Sequence, residues 1–434
     1  MSEIEDPTPP PPDAPAGANA EAVPGDDLAL PADLVADSLG DYVRTSLSRI
    51  RAGESGVLPV VGGLLLISIL FQSLNSNFLT AGNLVNLLVQ AAVFSLLAMA
   101  EVFVLLLGEI DLSVGFVAAI GAAITANAVG PHHQWNALLA IAAGVLVCAG
   151  IGLLQGTIIT RLGLPSFVVT LAGLLFWNGV LLKILGNGGT EPINSSLIND
   201  IAASNLTPTV GWIVMLAIVA LYGAMVWRRD QKRRSAGLVA PPASITFAKI
   251  GAALVFGIAV VLLCNTDRGV LLPIRGVPYV VLLVLAVLAV WSFLLGRTKL
   301  GRYIYAIGGN AEAARRAGIG VANVRTTAFV LCSFTAGIAG IVYESRLQSI
   351  STAVDGGTLV LYAVAAAVIG GTSLFGGRGK AIHGVLGGIV IAAIDNGMGL
   401  VGFTAASQYM VTALVLLVAV IIDALARRGR IAGI

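Results

Sequence analysis

The sequence predicts an all-α, polytopic membrane protein of ten to twelve transmembrane helices, one or more of them broken half-helices. Three observations carry that reading. The mean hydropathy is +0.92 over 434 residues. Charged residues make up 11%, against about 25% in a soluble domain, too few to clothe a water-facing surface. Glycine is high, at 52 residues, which favours close helix packing and interrupted helices in a membrane. A soluble enzyme, a nucleic-acid binder and a disulfide-rich secreted domain are excluded by these counts.

Twelve apolar runs follow one another along the chain, at 57–74, 84–108, 112–130, 137–160, 166–185, 209–227, 245–264, 277–296, 324–345, 359–374, 382–402 and 405–424. Most are long enough to cross about 30 Å of hydrocarbon. The run 359–374 is short and ends in glycine, so it is expected to be a half-helix. The runs lack the alternating pattern of a membrane β-barrel, and helices satisfy their own backbone polar groups in lipid.

Residues 1–45 read as a disordered, acidic, proline-rich cytoplasmic tail. The first forty residues hold nine acids, eight prolines and no Lys or Arg, and such a composition cannot offset its ordering entropy. The transmembrane domain is placed at 57–424 and a short basic tail at 425–434. With the N-terminus in the cytoplasm and all twelve spans threaded, 21 of the 25 Lys and Arg fall on the inner side. Only Lys183, Arg268, Arg275 and Arg346 fall outside or at the outer edge. The positive-inside rule therefore puts both termini in the cytoplasm. The longest outer loop, 186–208, carries two acids and no base; its Asn194-Ser-Ser and Asn205-Leu-Thr match the glycosylation pattern.

Little in the sequence points to catalysis. Cys148, Cys264 and Cys332 lie inside apolar runs with no metal spacing and read as small buried residues. No phosphate-binding loop is present. The nearest approach, Gly370 to Lys380, has Leu374 in place of the first glycine and Ala381 in place of the Mg²⁺-binding Ser or Thr, and reads as a tight turn with close helix contacts. His132, His133 and His383 have no ligand-like partners, so no metal site is expected.

Acids inside membrane spans are costly, and their presence marks candidate functional positions. Glu101 lies deep in the second run, Glu344 near the outer end of the ninth and Asp395 inside the eleventh; Glu109 and Asp111 stand at the break between the second and third. Each is a candidate relay or a partner for a polar group or helix end. Asp111, in Asp-Leu-Ser113-Val-Gly, is placed to cap the next helix. Glu101, Asp111, Ser113, Glu344, Asp395 and Asn396 form the candidate translocation pathway.

The inner stretch 297–323 holds a short helix outside the membrane, at 310–318. Asn310 is its expected N-cap, Glu312 sits in the first turn, Arg315 and Arg316 in the last, and Gly318 at the stop. Cap, dipole charges and stop together suggest a docking element for a cytosolic partner, built on Asn310, Glu312, Ala313, Ala314, Arg315, Arg316 and Gly318.

Four stretches carry a resemblance: Gly108-Glu-Ile-Asp-Leu-Ser-Val-Gly115; Gly301-Arg-Tyr-Ile-Tyr-Ala-Ile-Gly-Gly-Asn310 with Glu312-Ala-Ala and Gly318; Val368-Ile-Gly-Gly-Thr-Ser-Leu-Phe-Gly-Gly377; and Asp395-Asn-Gly-Met398. With Phe78-Leu-Thr-x-x-Asn-Leu-Val-Asn86 they cover residues 78–398. On these residues the chain resembles the permease subunits of bacterial ABC sugar importers, the ribose/xylose/arabinose branch, and most of all the xylose type. The resemblance implies alternating access for a monosaccharide such as D-xylose and a permease homodimer in the cell inner membrane. It also implies an ATP-binding subunit inside and an extracytoplasmic sugar-binding protein outside. ATP and Mg would then be held by the partner ATPase, with no cofactor in this chain and no nucleic acid. Where relatives often carry Glu-Leu-Asp, this chain has Val360-Leu-Tyr362. An ion-coupled sugar carrier and an integral membrane enzyme are the rival readings.

Overall fold

A computed structural model describes residues 57–186, 189–269 and 272–431, with Ser38, Gly40–Tyr42, Arg44, Thr45 and Ser48 before them. Most of the acidic tail therefore lies outside the described residues, as do residues 432–434.

From Val57 onward the elements run in a simple order. They are α1 (Val57–Leu74), α2 (Ala81–Leu105), α3 (Val114–Val129), α4 (Ala137–Leu162), α5 (Ser166–Leu185), β1 (Thr190–Pro192), α6 (Ser196–Ala203), α7 (Pro208–Ser235), α8 (Ala243–Asn265), α9 (Tyr279–Arg297), α10 (Lys299–Gly309), α11 (Ala311–Arg316), α12 (Val321–Leu347), β2 (Ser349–Ser351), α13 (Gly356–Ile369), α14 (Ala381–Val401) and α15 (Ala405–Ile431). Each of the twelve apolar runs holds one of these helices. Among the described residues, eight helices are long and apolar enough to cross a membrane, and α1, α3, α13 and α15 add apolar stretches of 10–17 residues. The chain is a multi-pass membrane protein.

Helix α2 is the axis of the core, buried from Ala91 to Leu105 on every side. Helix α12 packs along α4 and across α2 and α3, while α14 lies along α2 and α13 bridges α2 and α14. Helices α5, α7 and α8 turn most of their surface to the surroundings.

Two helices fall short of the bilayer. At 1.5 Å per residue, the 14 residues of α13 span about 21 Å and the 16 of α3 about 24 Å. The shortness of α13 was legible in its sequence; that of α3 was not. The expected run 359–374 also ends early, because the chain turns at Gly370 and Gly371 rather than continuing to Leu374.

The loops sort into two ends. At one end β1 pairs antiparallel with β2, Asn205 bridges to Pro278, and Asn75 Nδ2 donates to the Leu400 carbonyl at 2.7 Å. At the other, Gly377 N–H donates to the Leu106 carbonyl at 2.8 Å, the Tyr305 hydroxyl donates to the Gly379 carbonyl at 2.7 Å, and Thr160 meets Thr326 at 3.0 Å. The helices alternate between these ends in the order expected for twelve threaded spans. The second end carries α10, α11 and the bases of α7, and is called the basic end below.

Candidate functional site

The short helix at the basic end forms as its sequence requires. Asn310 takes an extended conformation and its Oδ1 accepts the Ala313 N–H at 2.9 Å. Glu312 pairs with Arg315 at 3.1 Å and with Arg316 at 3.3 Å, all exposed. At the far side Ile319 N–H returns to the Ala314 carbonyl and Gly318 N–H to the Arg315 carbonyl, each at 3.0 Å. That double closure requires a left-handed residue at its centre, and Gly318 supplies it with φ +81°. Of the docking residues, Ala314 alone is buried. A cleft of about 350 Å³ opens beside the helix, lined by Thr160, Arg315, Ile319, Asn323 and Arg325 among others.

A second helix precedes it that sequence reading did not separate from the loop. In α10, Gly301, Ile304 and Ile307 are buried and the opposite face is exposed. The spacing of these apolar positions is the signal that could have found it. Its last turn lies on the backbone of two other loops. A Cβ at Gly308 would overlap the Leu106 carbonyl oxygen and stand 2.6 Å from Gly377 N, so only glycine permits the approach. The Gly370–Lys380 stretch is the tight turn with close contacts that its composition suggested.

Leu106 begins the break that separates α2 from α3, and this break carries the acids. Glu109 pairs with Arg325 of α12. Asp111 is fully buried; its Oδ1 accepts the Ser113 N–H at 2.9 Å and the Ser113 hydroxyl at 2.6 Å. Gln155 of α4 donates to the Ser113 hydroxyl at 3.0 Å, and Cys332 Sγ of α12 lies 3.9 Å from Asp111 Oδ2. The residue at the N-cap position of α3 is Ser113, and Asp111 acts two residues earlier by holding Ser113. Glu101 is fully buried nearby, and neither of its oxygens has a hydrogen-bond partner.

The remaining candidates lie toward the other end. Asp395 is half-buried and accepts the Tyr362 hydroxyl at 3.2 Å, with Thr412 behind that hydroxyl at 3.4 Å. Asn396 exchanges two hydrogen bonds with Asn83, at 2.8 and 3.0 Å. Glu344 is fully buried with no partner for either oxygen. The six pathway candidates thus divide into one group at the α2–α3 break and another at the far halves of α12 and α14. Tyr362, noted in the sequence only for the acid it replaces, is the residue that orients Asp395. Cys148, Cys264 and Cys332 are free and buried.

Comparison with known proteins places this geometry. The family model described as branched-chain amino acid transport system / permease component matches residues 83–420. The chain is 34% identical over 383 residues to the xylose transport system permease protein XylH of Escherichia coli K12, covering 88% of this chain and 95% of that one. The corresponding protein of Haemophilus influenzae is 34% identical over 351 residues, covering 80% and 90%. The ribose import permease protein RbsC of E. coli K12 is 31% identical over 362 residues, covering 83% and 91%. No solved structure matches the chain. A matched region from Asn83 to Val420 takes in α2 and its break, the α10–α11 pair and both groups of buried acids: the chain belongs to the branched-chain amino acid transport system / permease component family.

Proposed function

We propose that this chain is the membrane-spanning permease subunit of an ATP-driven sugar importer of xylose type. The observation that carries the proposal is the α10–α11 pair: an exposed, fully capped helix whose support rests on the loop that leads directly to Asp111. Motion imposed on α11 from outside the membrane is handed through α10 and Leu106 to the break between α2 and α3, and through Arg325–Glu109 to α12.

The partners proposed with it are those that the family resemblance implies. An ATPase subunit that binds ATP and Mg docks at Asn310, Glu312, Ala313, Ala314, Arg315, Arg316 and Gly318. A sugar-binding protein delivers substrate at the opposite end, and a second copy of this chain completes the pathway. The basic end is cytoplasmic, since it carries Arg161, the Arg228–Arg234 cluster, Arg297, Arg302, Arg315, Arg316 and Arg325. Glu101, Asp111 and Ser113 then stand at the inner part of the pathway, and Glu344, Asp395 and Asn396 at the outer part. The chain itself transports and does not hydrolyse ATP; ATP closure of the partners drives the cycle by differential binding to two states. Affinity purification of the tagged chain from its own membranes tests this: an ATPase subunit and an untagged second copy are expected. Recovery of the chain alone, with proton-driven uptake, would establish a secondary carrier instead.

A further inference from the structure

The densest run of bases in the sequence belongs to none of these roles. It lies at the basic end of the α7–α8 hairpin: Arg228, Arg229, Lys232, Arg233 and Arg234, with Asp230 as the one acid among them. The hairpin is peripheral, and its clearest apolar anchor, Met215, Val261 and Cys264 with Val277, gathers around the far end. Its basic end is nonetheless held in shape. Asp230, 1% exposed, accepts from Arg229 Nε at 2.9 Å and from the Thr246 hydroxyl at 2.8 Å. Arg234 lies over the Trp227 ring and donates to the Pro241 carbonyl at 2.8 Å. Asp230 is thus consumed inside the hairpin, while Arg228, Arg229, Lys232 and Arg234 are exposed.

The N-terminal segment arrives at this place. The Tyr42 ring lies 5.9 Å from Lys249 Nζ, one turn along α8 from Thr246. The forty residues at the start of the chain hold nine acids and no base, with Asp37 and Asp33 five and nine residues before Tyr42. At no more than about 3.6 Å per residue, those two acids reach up to roughly 18 and 32 Å from Tyr42. A short tether also keeps them at an effective concentration on the order of millimolar beside the bases. We propose that the acidic segment 1–40 docks on the basic end of the α7–α8 hairpin of its own chain. An anionic lipid surface would compete for the same bases and is an outcome of the test.

Zero-length carbodiimide cross-linking of the full-length protein, read by peptide mass spectrometry, tests the proposal. Amide links are expected from tail acids, Asp33 and Asp37 foremost, to Lys232 and Lys249. They should fall at least severalfold at about 1 M salt, where charges are screened beyond about 3 Å. R228E, at an exposed base outside these bracing contacts, should lower the links to Lys232 in the same way without lowering protein abundance. Absence of links at low salt, or links indifferent to salt, would overturn the proposal. So would links found only between isotope-labelled and unlabelled copies. Links present in neutral-lipid nanodiscs and lost in phosphatidylglycerol nanodiscs would assign the surface to lipid and overturn it as well.

Discussion

Gly308→Ala separates docking from transmission. The added methyl overlaps the Leu106 carbonyl oxygen and stands 2.6 Å from Gly377 N, both backbone atoms that no rotamer change can move. The contact must open by at least about half an ångström against Gly377 and further against Leu106, and overpacking of this kind costs about 1–3 kcal/mol. That is small beside the burial of α2, so abundance should stay near normal. The cap, ion pairs and left-handed stop of α11 lie beyond the altered residue, so capture of the ATPase partner should persist. What weakens is the seat of α10 on the loop to Asp111. A loss of coupling of about 1–3 kcal/mol corresponds to a roughly 5- to 150-fold fall in effect. Uptake should drop by about that factor while pull-down of the ATPase is unchanged. Gly309→Ala is the control: nothing lies within 4 Å of its added methyl and its backbone is not left-handed, so it should be silent. Full uptake in Gly308→Ala, or equal damage in both variants, would refute the transmission route.

Further outcomes follow from the same contacts. Gly318→Val meets no atom but forces a β-branched residue into a left-handed conformation, a strain of about 1–2 kcal/mol, and Glu312→Lys removes both ion pairs. Each should lose ATPase pull-down and uptake at normal permease level; normal pull-down with normal uptake would reduce α11 to an ordinary surface helix. Reporter fusions after residues 50, 231 and 430 should read cytoplasmic and one after 197 extracytoplasmic, and an inside signal at 197 would break the twelve-span threading. In the loop 266–276, the Gly269 N–H donates to Asp267, as do Arg275 and the Ile274 N–H, and this holds its carboxyl below the ordinary aspartate range. A depressed acid stabilises above its unfolded pKa and loses that effect as pH falls through the folded one. Protease protection of this loop should therefore be constant at neutral pH and fall only under strongly acidic conditions; a loss near pH 6 would contradict it.

The helices were readable because burial in lipid writes itself as uninterrupted apolar runs, and α11 because its cap, charges and stop are local in sequence. Gly318 in particular takes the conformation that its position suggested. The reading failed where geometry depends on distant partners. The Asp111–Gly115 stretch marked a helix start but not that Ser113 takes the N-cap position, since Asp111 and Ser113 are fixed by Gln155 and Cys332 from other helices. Helix α10 was missed because its last turn is seated, at Gly308, on backbone at Leu106 and Gly377, both distant in sequence. Tyr362 was legible only as a departure from relatives; its bond to Asp395 needs α13 beside α14.

In the proposed cycle, ATP bound by a partner acts through α11 to drive sugar across this chain. Proteoliposomes holding the permease, its ATPase and the sugar-binding protein give the most direct measurement, with labelled xylose outside and Mg·ATP inside. Uptake is expected to require the ATPase, to survive a proton uncoupler, and to vanish with Glu312→Lys. Uptake by the permease alone under a pH gradient, abolished by the uncoupler, would contradict the account and turn attention to Glu101 and Asp395.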